Sequence, residues 1–197
     1  MVTANEKAGK TVRGRKCFLA GILCLLVLGL CGCGSKAPVI TYDGSLELRL
    51  GKTTAGDVLD AGFTNLYSHI NDRQIAGMSW ENLYAMKDGS SYGTMYAGNK
   101  SSREKAFREG VIFRVIIEYD GQDYPVGEIL VNGVNFNGYT REQVKEAMQE
   151  YELTLDTEKY INFQAGKYEY TFTFLEGSDV VSRISIDDGT ETELTIR

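Results

Sequence analysis

Apolar residues recur along this chain in three rhythms, and each predicts a different element. An uninterrupted run, Phe18 to Leu30, stands directly after Lys7, Lys10, Arg13, Arg15 and Lys16, with only Glu6 opposing them. Strict alternation follows in Leu46-Glu-Leu-Arg-Leu50 and again in Lys167-Tyr-Glu-Tyr-Thr-Phe-Thr-Phe174, where Tyr168, Tyr170, Phe172 and Phe174 project to one side. A period of two predicts a strand with one buried face. The third rhythm has helical spacing, with Val144, Ala147, Met148 and Tyr151 at i, i+3, i+4 and i+7.

Local signals bound these elements. Thr140 and Gln143 form an S/T-x-x-E/Q capping box ahead of the helical stripe. A shorter copy, Thr54 with Asp57, opens a helix through Val58, Leu59 and Ala61 that Gly62 stops. Glu176-Gly-Ser-Asp179 turns the Lys167 strand into the next one and predicts an antiparallel hairpin. A strand at Thr94-Met-Tyr96-Ala is followed by Ser101 to Glu109, whose own box at Ser101 and Glu104 and terminal Gly110 predict an extra helical turn or two.

Two of these patterns occur twice. Aligning Thr54 with Thr140 puts Val58 on Val144 and Ala61 on Ala147. Val111-Ile-Phe-Arg114-Val-Ile-Ile117-Glu118 then matches Val180-Val-Ser-Arg183-Ile-Ser-Ile186-Asp187. An internal duplication follows as the expectation. The fold class expected is α+β, with two tandem repeats that each hold a short capped helix and an antiparallel β-meander. Residues 45–122 form the first repeat, with insertions, and 123–197 the second.

The Phe18–Leu30 run is shorter than the roughly 20 residues a membrane-spanning helix needs. With its basic flank it reads as the front of an export signal. Its end, Leu30-Cys31-Gly32-Cys33, resembles the L-x-[AG]-C lipobox of bacterial prolipoproteins, although that family more often has a small or β-branched residue where Cys31 stands. The resemblance implies a diacylglycerol thioether on Cys33, removal of residues 1–32 and a mature chain that begins at Cys33 on the extracytoplasmic face of the cell membrane. Residues 33–44 are then a short linker. An uncleaved membrane anchor and ordinary secretion are the alternatives. Two acyl chains, at about 0.8 kcal/mol per buried methylene, hold a protein stably where one chain is marginal.

Composition narrows the rest. All four cysteines, Cys17, Cys24, Cys31 and Cys33, lie in the leader or at its end, so a mature chain has no thiols for structural disulfides or cysteine zinc sites. Beyond residue 32 there are 16 Lys and Arg against 26 Asp and Glu, a net charge of −10. Nucleic acid and direct adsorption to anionic lipid are therefore poor expectations.

Short motifs supply little chemistry. His69 is the single histidine, which excludes HExxH and multi-histidine sites. Gly89-Ser-Ser91-Tyr-Gly93 matches G-x-S-x-G in letters, but it lies behind Lys87-Asp88 and reads as a hairpin turn rather than a nucleophile elbow. Gly51-Lys52-Thr53 lacks the first P-loop glycine, since Leu46 stands there. Asp187-Asp188-Gly189 and Asp120-Gly121 read as turns, and no calcium-loop spacing is present. Arg114 and Arg183 occupy equivalent strand positions and are expected to face solvent or pair with cross-strand carboxylates, with a pseudo-symmetric anion or partner contact as the sharper alternative.

The helix opening shared by Thr54-Ala-Gly-Asp-Val-Leu-Asp-Ala61 and Thr140-Arg-Glu-Gln-Val-Lys-Glu-Ala147, each ahead of a β-meander, resembles the repeat of β-lactamase-inhibitor-protein-like folds and of small outer-membrane-assembly lipoproteins of the SmpA/OmlA type. Thr64 to Tyr92 departs from that compact pattern. The resemblance implies a protein-binding scaffold without naming the partner. Tyr67, Trp80, Tyr84, Tyr92 and Tyr96 are residue types that anchor interfaces and stack on sugars, and they are the candidate partner-binding set. The function expected is a membrane-anchored lipoprotein whose non-enzymatic ectodomain binds a protein or an envelope component, with no cofactor or metal. Alternatives are a secreted-enzyme inhibitor and a cell-wall or glycan-acting enzyme or accessory that uses a carboxylate pair.

Overall fold

The computed structural model describes residues 37–67 and 72–194. The leader, the lipobox with Cys33, and His69 lie outside the described residues. Thirteen strands and two short helices make the described part mostly antiparallel sheet. Strands β1 (Val39–Tyr42) and β2 (Leu46–Arg49) lead into helix α1 (Ala55–Asp60). Next come β3 (Thr64–Asn65), β4 (Gln74–Ile75), β5 (Ser79–Lys87), β6 (Ser90–Asn99), β7 (Lys105–Ala106) and β8 (Val111–Glu118). The second half runs β9 (Ile129–Val131), α2 (Arg141–Ala147), β10 (Glu152–Asp156), β11 (Tyr160–Ala165), β12 (Tyr168–Phe174) and β13 (Val181–Asp187).

Eight strands form one antiparallel sheet in the order β10-β11-β12-β13-β8-β6-β5-β3. The two strands that carry the matched Val-x-x-Arg segments, β8 and β13, pair at its centre. Their register sets Arg114 opposite Asp187, Arg183 opposite Glu118 and Ser185 opposite Ile116. Each helix is tied to the strand that closes its half by the same bonds. Thr54 bridges Val111 and Thr140 bridges Val180. Ala55 N donates to Gly110 O at 2.8 Å, and Arg141 N to Asp179 O at 2.9 Å.

Alternation along the strands buries one face of this sheet. Leu83, Met95, Val115, Ile117, Ile184, Ile186, Tyr170 and Phe172 lie there with no more than trace exposure. A smaller sheet, β2-β1-β9, contributes Ile40, Tyr42, Leu48, Ile129 and Val131 to the same core, and the helices add Val58, Val144 and Met148. The contacts are specific: Tyr42 meets Tyr92 edge-on at 6.0 Å, and Phe136 meets Phe172 at 5.0 Å. Each large apolar side chain so buried contributes about 1.5–3 kcal/mol relative to exposure. This layer holds the fold together in a chain whose cysteines all precede it.

Both capping boxes form. Thr54 Oγ1 accepts from Asp57 N while Asp57 accepts from Thr54 N, and Thr140 with Gln143 repeats the exchange. On α2, Val144 and Met148 face the core and Tyr151 is half-buried against Tyr170, whereas Ala147 is exposed, because the helix ends before that side of it meets a neighbour.

Three expectations are corrected. Residues 39–42 are not linker: Ile40 and Tyr42 are fully buried in β1, because the β2 strand needs a partner before it can cover the core. The Ser101–Glu104 box does not start a helix. Ser101 instead caps Asn99, whose buried side chain donates to the Ile75 and Arg103 carbonyls, and the only helical turn of the insert is the 3-10 turn Phe107–Glu109. Finally, Gly89 to Gly93 is a turn only at Asp88-Gly89. From Ser90 the chain is already in β6, and Gly93 sits at a bulge with φ +83°.

Candidate interaction face

Outward positions of six of the eight strands line up in register across the opposite face of the large sheet. One row reads Gln164, Glu169, Asp187, Arg114, Tyr96 and Asn82. The next reads Asn162, Thr171, Ser185, Ile116, Thr94 and Tyr84. A third joins Tyr160, Thr173, Arg183 and Glu118. The core lies on the other side of the sheet. This face ends at one corner where the turn Thr190–Glu193 brings Glu191 to Arg114 and Leu194 packs on Gly98.

The face divides by chemistry. At the β5–β6 side, Tyr67 and Tyr84 are exposed, 71% and 38%, and meet edge-to-face at 4.8 Å. Trp80 and Tyr96 pack at 5.1 Å, and the guanidinium of Arg114 lies 5.6 Å over the Tyr96 ring. The indole Nε1 of Trp80 is buried with no hydrogen-bond partner among the described residues. Such aromatic pairs add about 0.5–1.5 kcal/mol beyond their buried area, and an exposed pair offers that area to a partner.

Across the middle runs an ion-pair network. Arg114 Nη1 donates to Glu191, and its Nε stands 3.9 Å from Asp187 Oδ2. Arg183 Nε stands 3.9 Å from Glu118 Oε1. Separations of 3.9 Å attract as charges but are too long for hydrogen bonds, and Asp187 Oδ2 has no donor among the described residues. Burial holds the Asp187 carboxyl above the usual carboxylate range, opposed by the Gly189 amide and by Arg114. An acid whose folded pKa is raised destabilises the fold when ionised, and this penalty relaxes only as pH falls through that raised value. Beside the network a cavity of about 310 Å³ opens between Arg114, Glu169, Thr171, Ser185, Asp187, Glu191 and Thr192.

Of the aromatic set expected to bind a partner, Tyr67, Trp80, Tyr84 and Tyr96 share this face. Tyr92 does not. It is 2% exposed on the core side of β6, packs against Tyr42 and Phe63, and donates its hydroxyl to Asp43, with Gly127 leaving room for its ring. The β6 bulge explains the difference, since one extra residue between Ser91 and Thr94 turns Tyr92 inward. Arg114 and Arg183 both stand opposite cross-strand carboxylates.

Sequence reasoning missed Glu169, Asp187 and Glu191 as a group. The alternation of Tyr168–Phe174 already pointed Glu169 outward, but what it faces depends on strand order. Asp187 and Asp188 also part ways: Asp188 turns inward, 2% exposed at its side chain, and accepts from Lys167 Nζ and Thr190 N. Among the described residues no cluster of three or more His, Cys, Asp or Glu is arranged to hold a metal, and no helix is long and apolar enough to cross a membrane. Ser91 is buried, its amide bonded to the Pro125 carbonyl. Comparison with protein-family models, with curated proteins and with solved structures returned no significant match.

Proposed function

We propose that this chain is a surface lipoprotein anchored through Cys33 whose non-enzymatic ectodomain binds a partner protein on the open face of its large sheet. The observation that carries this reading is the aromatic patch of Tyr67, Tyr84, Trp80 and Tyr96. These side chains stand on the face of the sheet away from the core, next to an ordered charge network. Interfaces draw most of their energy from a few Tyr, Trp and Arg side chains surrounded by polar groups. Residue types and layout both fit.

The ectodomain is further proposed to consist of two tandem α+β repeats. Support comes from the mirrored strand order β10-β11-β12-β13 against β3-β5-β6-β8. The matching Thr54–Val111 and Thr140–Val180 bridges and the reciprocal Arg114–Asp187 and Arg183–Glu118 pairs support it as well. In this arrangement the scaffold common to both repeats is the capped helix and closing strand, and the first repeat alone supplies the aromatic patch. From Cys33 to Val39 the tether spans at most about 20 Å when fully extended, so the module works close to its bilayer.

Binding is tested with full-length chain in detergent as bait for envelope proteins. The Tyr67→Ala/Tyr84→Ala double variant is expected to keep its melting temperature within a few degrees, since both side chains are exposed. Its affinity for the captured protein should fall about 30-fold, the effect of losing one hot spot of about 2 kcal/mol. A partner held equally well by both forms would place binding elsewhere.

A further inference from the structure

The apolar side of the large sheet runs one strand further than the layer that covers it. On β11, Ile161 and Phe163 are buried, but Leu153, directly opposite Phe163 on the outermost strand β10, is 48% exposed. All five residues of β10 are exposed. A bulge between Leu153 and Leu155 turns the second leucine to the open face opposite Asn162, where it is 42% exposed. Among the described residues β10 pairs with β11 alone, and no other described backbone group bonds to it. The opposite edge differs, since β3 has two residues and is too short to template a strand. One end of the sheet thus presents a five-residue edge of amides and carbonyls with a leucine on each side of it.

Charge decides what can pair with that edge. The side chains of Glu150 and Glu152 have no ion pair or hydrogen bond among the described residues. Asp156, by contrast, is held by Arg141 Nη1 at 2.8 Å and Lys145 Nζ at 2.9 Å. A second copy of β10 would lay acidic strand against acidic strand, and like charges across a strand pair are destabilising. We propose that β10 accepts an extended segment of a partner protein as a ninth strand, with a Lys or Arg beside Glu152 and apolar side chains beside Leu153 and Leu155. In strand addition the main-chain bonds supply affinity and the side chains at alternate positions select the segment. Because the bulge sends the two leucines to opposite sides, the incoming strand needs apolar residues on both of its faces. Its basic residue belongs on the open-face side, where Glu152 stands opposite Gln164. This edge is separate from the aromatic patch: β10 and β5 are six strand spacings apart in the sheet, about 29 Å.

The test pans a phage-displayed dodecapeptide library on full-length protein in detergent. Synthetic copies of the enriched peptides are then measured on wild type, Glu152→Lys, Leu153→Ser/Leu155→Ser and Tyr67→Ala/Tyr84→Ala. Every replaced side chain is exposed, so melting temperatures should stay within a few degrees. The peptides are expected to carry a Lys or Arg and to lose about tenfold in affinity on Glu152→Lys and about 30-fold on the leucine variant. They should bind the tyrosine variant as tightly as wild type. N-methylation of the peptide backbone should abolish binding at every second residue, since alternate amides of a strand point to the same neighbour. Binding that ignores both β10 variants, or that lacks this period of two, overturns strand addition. Peptides that need Tyr67 and Tyr84 but not β10 overturn the edge site and leave the open face standing. A wild-type dimer that Leu153→Ser/Leu155→Ser dissolves at sedimentation equilibrium would make a second copy the occupant and overturn the basic segment. No enrichment above background overturns the edge site as well.

Discussion

Replacing Gly93 with alanine is expected to cost about 4 kcal/mol of folding stability, a large share of the 5–15 kcal/mol typical of a domain. Gly93 has φ +83°, and a Cβ built there lies 2.1 Å from the Ile116 carbonyl oxygen of the neighbouring strand β8. Two effects add. The left-handed backbone costs an alanine about 1–2 kcal/mol. The clash then forces β6 and β8 apart at the Thr94–Ile116 pair, in the interior of the eight-stranded sheet. Gly89 is the control, with φ +79° and nothing within 4 Å of a built Cβ. Gly89→Ala should therefore cost only about 1–2 kcal/mol. Urea unfolding of both variants separates backbone strain from strand collision, and equal losses would show that the bulge does not depend on close approach.

The second large effect concerns processing rather than folding. Cys33→Ala removes the one atom proposed to carry lipid, so the variant should incorporate no labelled fatty acid and should retain residues 1–32. Wild type should incorporate label and begin at residue 33. Membrane fractionation alone is a weaker assay, because an uncleaved leader keeps the Phe18–Leu30 apolar run and can itself hold the chain at the bilayer. Mass spectrometry of the purified N-terminus reads both events at once. Label on the Cys33→Ala chain, or a wild-type N-terminus elsewhere, would remove the anchor from the account.

Much of the local structure was legible because it depends on neighbours in sequence. The Thr54 and Thr140 capping boxes, the alternation of Tyr168–Phe174 and the turn after it are set within a few residues, and they formed as expected. What failed depended on distant partners. Val39–Tyr42 has too few residues to announce a strand, and only β2 and β9 on either side make it one. Tyr92 carries the same letter as Tyr84 eight residues earlier. A single bulge sends one into the core and the other to solvent. Glu169 and Asp187 are 18 positions apart on different strands, so they become neighbours only once β12 and β13 pair. The aromatic half of the candidate face was therefore visible in composition, while its charged half required topology.

The central claim, that the open face is the binding surface of the anchored protein, is tested most directly by photo-cross-linking in intact cells. Benzoylphenylalanine is placed either at Tyr84, on the open face, or at Glu47, exposed on β2 of the covering sheet. The account predicts a discrete adduct with one envelope protein from position 84, lost when Tyr67→Ala is added, and none from position 47. The same adduct from position 47 with none from position 84 would contradict it.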